Sequence, residues 1–160
     1  MSVSLRLPNL RVFIVSVLSV VAFILLGFAP KASATINYGE EVSEVAKIYV
    51  DSPYKWGGTT PKGFDASGFT QFVYKNVATK MNIPRTSALQ FETGVVVKES
   101  ELQRGDLVFY ATGEKDKVSF VGIYNGDGTF TGVTMSGVKI VKMNDKYWKE
   151  RYIGAKRIIE

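Results

Sequence analysis

The sequence predicts an α+β domain in which N-terminal helices pack on a mainly antiparallel β-sheet. In the first half of the chain, apolar residues recur every three or four positions, which is the period of an amphipathic helix. In the second half they form short runs separated by turn residues, as in β-strands. The Asn-Gly-Asp-Gly sequence at 125–128 indicates a hairpin, and therefore antiparallel neighbours. With 160 residues, of which 46% are hydrophobic, the chain can form one compact core.

Residues 1–34 have the pattern of an export signal. Arg6 and Arg11 precede an uncharged apolar stretch, and an Ala-Ser-Ala sequence that fits the cleavage motif ends at residue 34. We therefore predict a signal peptide over 1–34, a folded domain over 35–160, and a secreted or cell-wall location. The alternative is an uncleaved anchor, since the apolar stretch reaches the lower limit for a membrane-spanning helix. The chain would then contact a membrane through this segment only.

Three helices are predicted before the strands begin. Apolar residues at spacings of three and four predict the first over 41–49. Asp65 is the predicted N-cap of the second, over 66–77, and the third is a short helix over 86–91 capped by its first residue. The strands that follow are predicted as an antiparallel meander over 106–110, 118–124, 129–134, 138–143 and 152–158.

The segment between the first two helices has the composition of a catalytic loop. A Tyr-Lys-Trp-Gly-Gly motif at 54–58 leads to Gly-Phe-Asp-Ala-Ser-Gly-Phe at 63–69, which presents a small side chain at a helix N-terminus. The partial positive charge there would stabilise an anionic nucleophile such as a thiolate. The residue presented is Ala66, which has no reactive group. The sequence contains no Cys and no His, so we predict no thiol chemistry, no metal site and no other cofactor.

The charge balance excludes nucleic acid as the main partner. Three of the 20 basic side chains and none of the 15 acidic ones lie in 1–34, which leaves a small basic excess in the rest of the chain. No block of Lys and Arg occurs there.

Six separated motifs, taken together, resemble the NlpC-type cell-wall endopeptidases, a papain-like group of secreted bacterial cysteine peptidases. The likeness runs from about residue 42 to residue 158 and implies a papain-like fold. The motifs are Tyr54-x-Trp56-Gly57-Gly58, Gly63-Phe64-Asp65-x-Ser67-Gly68-Phe69, Pro84-Arg85-Thr86-Ser87-Ala88, Gly105-Asp106-Leu107-Val108-Phe109, Val121-Gly122-Ile123-Tyr124 and Tyr152-Ile153-Gly154-Ala155.

The resemblance implies three catalytic positions, and each carries a residue without the required chemistry. The family's nucleophilic cysteine falls at Ala66, its base histidine at Phe120, and the polar residue that orients the base at Gly132. Nucleophile and base act as a unit, and losing either can cost on the order of a million-fold in rate. We therefore predict a pseudoenzyme with no catalytic residue.

Three neighbouring residues that line the family's substrate cleft are retained, namely Tyr54, Asp65 and Ser67. The resemblance implies that Tyr54 helps to hold the substrate. The residues alone leave alternatives open: Tyr54 and Trp56 are either cleft or core aromatics, and Asp65 is an N-cap, a ligand contact or both. Arg85 is either a ligand contact or part of a loop before the third helix.

Three hypotheses for function follow. The favoured one is an exported, inactive homologue that binds the peptidoglycan stem peptide or a cell-wall protein and modulates wall turnover. The second is a peptidoglycan endopeptidase with non-standard chemistry, for which Ser67 is the obvious nucleophile and Ser119 a weaker candidate, expected to face away from the site. The third is a purely structural interaction domain whose cleft is sealed by Phe120.

Overall fold

The computed structural model describes residues 37–77 and 79–158. The predicted signal peptide over 1–34 lies outside the described residues. Within the two described ranges, no helix is long and apolar enough to cross a membrane.

The described residues form helices and strands in the order that the sequence predicts, with additions. In chain order the elements are α1 (Tyr38–Ile48), β1 (Thr59–Thr60), β2 (Gly63–Phe64), α2 (Ala66–Asn76), α3 (Ser87–Phe91), β3 (Val95–Val97), a 3-10 turn (Glu99–Glu101), β4 (Leu107–Tyr110), β5 (Phe120–Tyr124), β6 (Thr129–Thr134), β7 (Gly137–Lys142), α4 (Lys146–Lys149) and β8 (Tyr152–Arg157).

The main sheet has six strands in the order β3-β8-β4-β5-β6-β7, and all neighbours are antiparallel. The predicted α+β class is therefore confirmed. The meander prediction holds from β4 to β7, but β8 returns across the sheet and pairs between β3 and β4. Strand β3 was not predicted because only three valines mark it, directly after the turn at Gly94.

The central strands β4, β5 and β6 are buried on both faces of the sheet. Alternate residues of a strand point to opposite faces, so each of these strands contributes to two separate clusters. In β4, Leu107 and Phe109 join a core under α1 and α2, whereas Val108 and Tyr110 join a second cluster on the other face. This second cluster is rich in aromatic side chains, and Phe120 belongs to it. The two faces therefore have different roles, since the first anchors the helices and the second backs the site described below.

Helix capping explains where the helices begin. Helix α1 starts earlier than predicted because Asn37 caps it, its side-chain oxygen accepting the backbone N–H of Glu40 at 3.2 Å. Helices α2 and α3 begin as predicted, capped by Asp65 and Thr86. The starts of α2 and α3 lie next to each other, and this brings the retained motif residues together.

Candidate functional site

The N-terminus of α2 is held tightly against the loop that precedes it. The Asp65 carboxylate accepts the backbone N–H of Gly68 at 2.7 Å, as an N-cap does. A Cβ at position 68 would lie 2.1 Å from the backbone oxygen of Gly58. Only glycine permits this approach, so the Gly-rich motif fixes the position of Ala66, the first residue of α2.

An open cleft of about 940 Å³ extends from Ala66 across the surface. The loop with Tyr54 and Trp56 lines the cleft, and the starts of α2, α3 and β5 form its floor. The end of β6, the turn after it, and α4 complete the lining. Its volume lies at the upper end of the range typical of small-molecule sites.

The three positions that the resemblance assigns to catalysis lie around this cleft. Ala66 and Phe120 line it, and the Phe120 side chain is only 7% exposed. The ring of Phe120 packs on Trp148, with ring centroids 4.8 Å apart, and on Tyr110, at 6.1 Å. It therefore belongs to the aromatic cluster behind the cleft as much as to the cleft surface.

Phe120 also covers Gly132. Strands β5 and β6 pair with Gly122 opposite Gly132, which places the Phe120 ring over the neighbouring backbone. A Cβ at position 132 would lie 2.9 Å from Cζ of Phe120 and 3.0 Å from Cε2 of Phe130. A side chain at 132 and a phenyl ring at 120 thus compete for one space, so the residues at these two positions depend on each other.

Asp65, Ser67 and Arg85 form one hydrogen-bonded cluster at the cleft floor. The Arg85 guanidinium donates to both carboxylate oxygens of Asp65, at 2.6 and 3.0 Å, and to Ser67 Oγ at 3.0 Å. Burial of the Asp65 carboxyl favours its neutral form, but the hydrogen bonds from Arg85 and Gly68 and the charge of Arg85 outweigh this and lower its pKa. Asp65 is therefore an anion whose charge is already matched within the protein.

A buried glutamine that the sequence analysis missed holds this cluster in place. Gln90 is fully buried, and its amide donates to the backbone oxygens of Ser67, at 3.0 Å, and Pro84, at 2.7 Å. Its side-chain oxygen accepts the hydroxyl of Thr70 at 2.8 Å. Gln90 thereby ties α3 to the first turn of α2 and positions Arg85. The only sequence signal for Gln90 is its position four residues after the capping residue Thr86.

The two loop aromatics have different surroundings. Tyr54 is half-buried, bridges to Phe64 and both lines the cleft and packs on the core, so both interpretations of it hold. Trp56 is 86% exposed and lines the cleft, so the interpretation of it as a core residue is wrong. It lies in a tight turn, closed by the Gly58 N–H and the Lys55 oxygen at 2.9 Å, which carries its side chain into solvent.

The part of the lining contributed by α4 and by the turn after β6 was not predicted. Tyr147 is 48% exposed, stacks edge-on against Trp148, and carries the Arg151 guanidinium 4.0 Å from its ring centroid. Met135, in the turn after β6, is 81% exposed and also lines the cleft. The adjacent Tyr and Trp at 147–148 were the available signal, but the sequence does not reveal that α4 lines the same cleft as Trp56.

Neither hydroxyl proposed as a substitute nucleophile has an imidazole or an amine as its hydrogen-bond partner. Ser67 Oγ donates to the Asp65 carboxylate at 3.4 Å, but Arg85 already matches the charge of that carboxylate, and Ser67 Oγ also accepts from the Arg85 cation. Ser119 lines the cleft beside Phe120, where it was expected to face away, because it precedes β5 and escapes the alternation of the strand. Its oxygen accepts the backbone N–H groups of Thr112 and Gly113. Within the described ranges, no group of three or more acidic residues could hold a metal ion.

Comparison with known proteins identifies the domain. A sequence profile of the NlpC/P60 family matches residues 51–157. The chain is 36% identical over 115 residues to murein DD-endopeptidase MepH of Escherichia coli, a match that covers 69% of this chain and 42% of MepH. More widely, the chain spans 35–42% of the length of three such curated relatives.

Solved structures agree with this match. The crystal structure of a Bacillus cereus NlpC/P60 family protein superposes with a TM-score of 0.71 at 35% identity, covering 76% of this chain and 40% of that one. RipD from Mycobacterium tuberculosis, a non-catalytic NlpC/p60 domain protein, superposes with a TM-score of 0.64 over 76% of this chain and 98% of that one. At 21% identity the likeness to RipD shows the fold alone. The profile match covers most of the chain, and the chain therefore belongs to the NlpC/P60 family.

Proposed function

We propose that this protein is an exported, catalytically inactive NlpC/P60 homologue that binds peptidoglycan, or a protein partner in the cell wall, and thereby modulates wall turnover. The observation that carries the proposal is the pairing of Phe120 with Gly132 behind Ala66. A phenyl ring occupies the place of the base, and it fills the space that a side chain at position 132 would need. Ala66 offers no atom that could form an acyl intermediate.

The state of the cleft supports binding rather than a purely structural role. Phe120 sits at the back of the cleft, and about 940 Å³ remain open in front of it. A sealed interaction domain would have filled this space with side chains. Tyr54, Asp65 and Ser67 all line this cleft, Ser67 as a buried residue of its floor, and in this proposal they contact the ligand.

The alternative is a peptidoglycan endopeptidase that uses other chemistry. It is supported by relatives that are named as endopeptidases. MepH is a murein DD-endopeptidase, and murein is peptidoglycan. The local chemistry of this chain favours the inactive form, because the Ser67 oxygen accepts a hydrogen bond from a cation and no imidazole occurs in the sequence. The variant Ser67→Ala distinguishes the inactive homologue from the endopeptidase. If the wild type releases amines from peptidoglycan and this variant does not, Ser67 is the nucleophile.

The decisive test has two arms with the same purified protein, residues 35–160. In the first, insoluble peptidoglycan is incubated with the protein, and newly released amines are compared with those from a heat-inactivated sample. We expect no excess. In the second, the protein is sedimented with peptidoglycan at low and high salt, as wild type and as Tyr54→Ala. We expect pelleting that resists salt, because charge attraction alone is screened, and that weakens in the variant.

Amine release above the control would overturn the inactivity. Pelleting that salt abolishes and that Tyr54→Ala leaves unchanged would overturn the binding role of the cleft. Export is tested separately by the size of the protein in culture fluid, where we expect the chain without residues 1–34. Full-length protein found only in membranes would replace the signal peptide by an anchor.

A further inference from the structure

The cleft is lined by exposed aromatic and apolar side chains. Trp56 is 86% exposed, and Tyr147 and Met135 in the same lining are 48% and 81% exposed. Large apolar groups clustered in a concave, polar-rimmed surface mark a binding site rather than ordinary surface. A tryptophan held out from a tight turn has both ring faces free for a flat, partly apolar ligand.

The cleft has almost no net charge to offer a ligand. Among the described residues that line it, the charged side chains are Asp65 and Arg85, and these form an ion pair with each other at 2.6 Å. An acidic peptide would need an unpaired cation, and a free amine would need an unpaired carboxylate. Neither is present on the lining, so ionic recognition is a poor match for this surface.

The remaining polar lining is made of hydroxyl groups. Seven serine and threonine residues line the cleft. Hydroxyls both donate and accept hydrogen bonds and carry no charge. Exposed aromatic rings combined with neutral hydroxyls fit a ligand with apolar ring faces and hydroxyl or amide edges. Pyranose sugars have this chemistry, because their axial C–H bonds form an apolar face and their hydroxyls lie at the rim.

We infer that the cleft binds the glycan strand of the wall, an uncharged chain of β-1,4-linked N-acetylated sugars, with one sugar ring stacked on Trp56. The inference rests on the proposed function and changes its ligand from the stem peptide to the sugar backbone. Tyr147 and Met135, which line the same cleft, contact the adjoining ring. The Asp65–Arg85 pair keeps a structural role at the cleft floor.

The test uses the full chain and a soluble, uncharged β-1,4-linked N-acetylglucosamine oligosaccharide as the probe. Binding is followed by intrinsic tryptophan fluorescence and by calorimetry. Both tryptophans of the sequence, Trp56 and Trp148, line the cleft, so the signal reports on it directly. We expect saturable binding that is insensitive to salt, because the ligand carries no charge. Trp56→Ala should weaken it about tenfold or more, and Trp56→Phe should weaken it less.

The matched control is Ile48→Ala. Ile48 is 74% exposed at the end of α1 and does not line the cleft, so its truncation should leave the affinity unchanged. Both substitutions remove exposed apolar surface, and neither disturbs the core. Loss of binding in Trp56→Ala alone therefore identifies the cleft, whereas equal loss in both variants would indicate non-specific adhesion and overturn the inference.

The outcome also separates this inference from the function on which it rests. If the protein pellets with peptidoglycan but neither binds the oligosaccharide nor depends on Trp56, the glycan inference is wrong and the stem peptide or a wall protein remains the ligand. If the protein neither pellets nor binds the sugar, both proposals fail. If it binds the sugar and Trp56→Ala weakens pelleting and sugar binding in parallel, both stand.

Discussion

The contact between Phe120 and Gly132 can be tested by its effect on stability. In Gly132→Ala the new Cβ would lie 2.9 Å from Cζ of Phe120 and 3.0 Å from Cε2 of Phe130, both closer than carbon atoms tolerate. The rings cannot move away freely, because Phe120 packs on Trp148 at 4.8 Å between centroids. Overpacking of this kind costs about 1–3 kcal/mol, and we expect Gly132→Ala to lower the free energy of unfolding by that amount.

A double-mutant cycle separates the steric conflict from other effects of the substitution. Phe120→Leu removes the ring atoms nearest to position 132 and destabilises the protein by itself, because it leaves a cavity in the aromatic cluster. With leucine at 120, Gly132→Ala should cost less than it does in the wild type. Residues in direct contact couple by about 0.5–3 kcal/mol. The contact with Phe130 persists in both backgrounds, so we expect a value in the lower half of this range.

The assay is urea unfolding followed by circular dichroism, with the free energy extrapolated to water. Gly154→Ala is the matched control, since Gly154 also lies inside a strand, but its added Cβ would meet Phe91 at an ordinary 3.4 Å. That substitution should change stability by no more than about 0.5 kcal/mol in either background.

Additivity would refute the reasoning. If Gly132→Ala costs the same with phenylalanine and with leucine at position 120, within about 0.3–0.5 kcal/mol, the ring does not occupy the space above Gly132. A side chain at 132 would then be compatible with Phe120, and the main structural support for inactivity would be lost.

Three further predictions concern the cleft floor. Asp65→Asn should lower the free energy of unfolding by about 1 kcal/mol or less at neutral pH, since the Asp65–Arg85 ion pair is partly exposed. The pKa of Asp65 is lowered in the folded protein. The stabilisation by its carboxylate is therefore present above the unfolded pKa and is lost as the pH falls through the folded pKa. The stabilities of wild type and variant should therefore converge as the pH falls below the usual aspartate pKa, and a constant gap would contradict this. Gln90→Leu should lower the free energy of unfolding by about 2–3 kcal/mol, because a buried carbonyl at Ser67 and a part-buried one at Pro84 lose their donor, and a urea midpoint equal to that of the wild type would disprove that role. Ala66→Cys should yield a thiol that iodoacetamide alkylates but no release of amines from peptidoglycan, for want of a base; hydrolysis by this variant would show that another group serves as the base.

Local signals accounted for most of the fold. Asp65 and Thr86 were identified as caps because a capping side chain bonds to the backbone three residues away, and both bonds are present. The hairpin between β5 and β6 followed from its turn residues. The sequence did not predict strand β3 or the position of β8 between β3 and β4. Strand β3 has only three residues, too few for a clear local pattern, and the neighbours of β8 are determined by long-range pairing.

The candidate site divides in the same way. The motif residues Tyr54, Asp65 and Ser67 were found from the sequence, since they are adjacent in the chain to the start of α2. Arg85 was named, but its partner was not, because Asp65 lies twenty residues away. Gln90 was missed because burial and three side-chain hydrogen bonds, not its residue type, give it a role.

The amino-acid sequence by itself determined the class of fold and the absence of cysteine and histidine, and through the resemblance it predicted that the three catalytic positions are replaced. Each of these depends on residue identity or on patterns within a few positions. Only the tertiary structure decided that Phe120 fills the space above Gly132, that Asp65 is neutralised by Arg85, and that Trp56 and α4 line one open cleft. These features are contacts between residues that are distant in the chain. Tertiary packing determines them, because no local sequence pattern specifies which distant side chains come into contact.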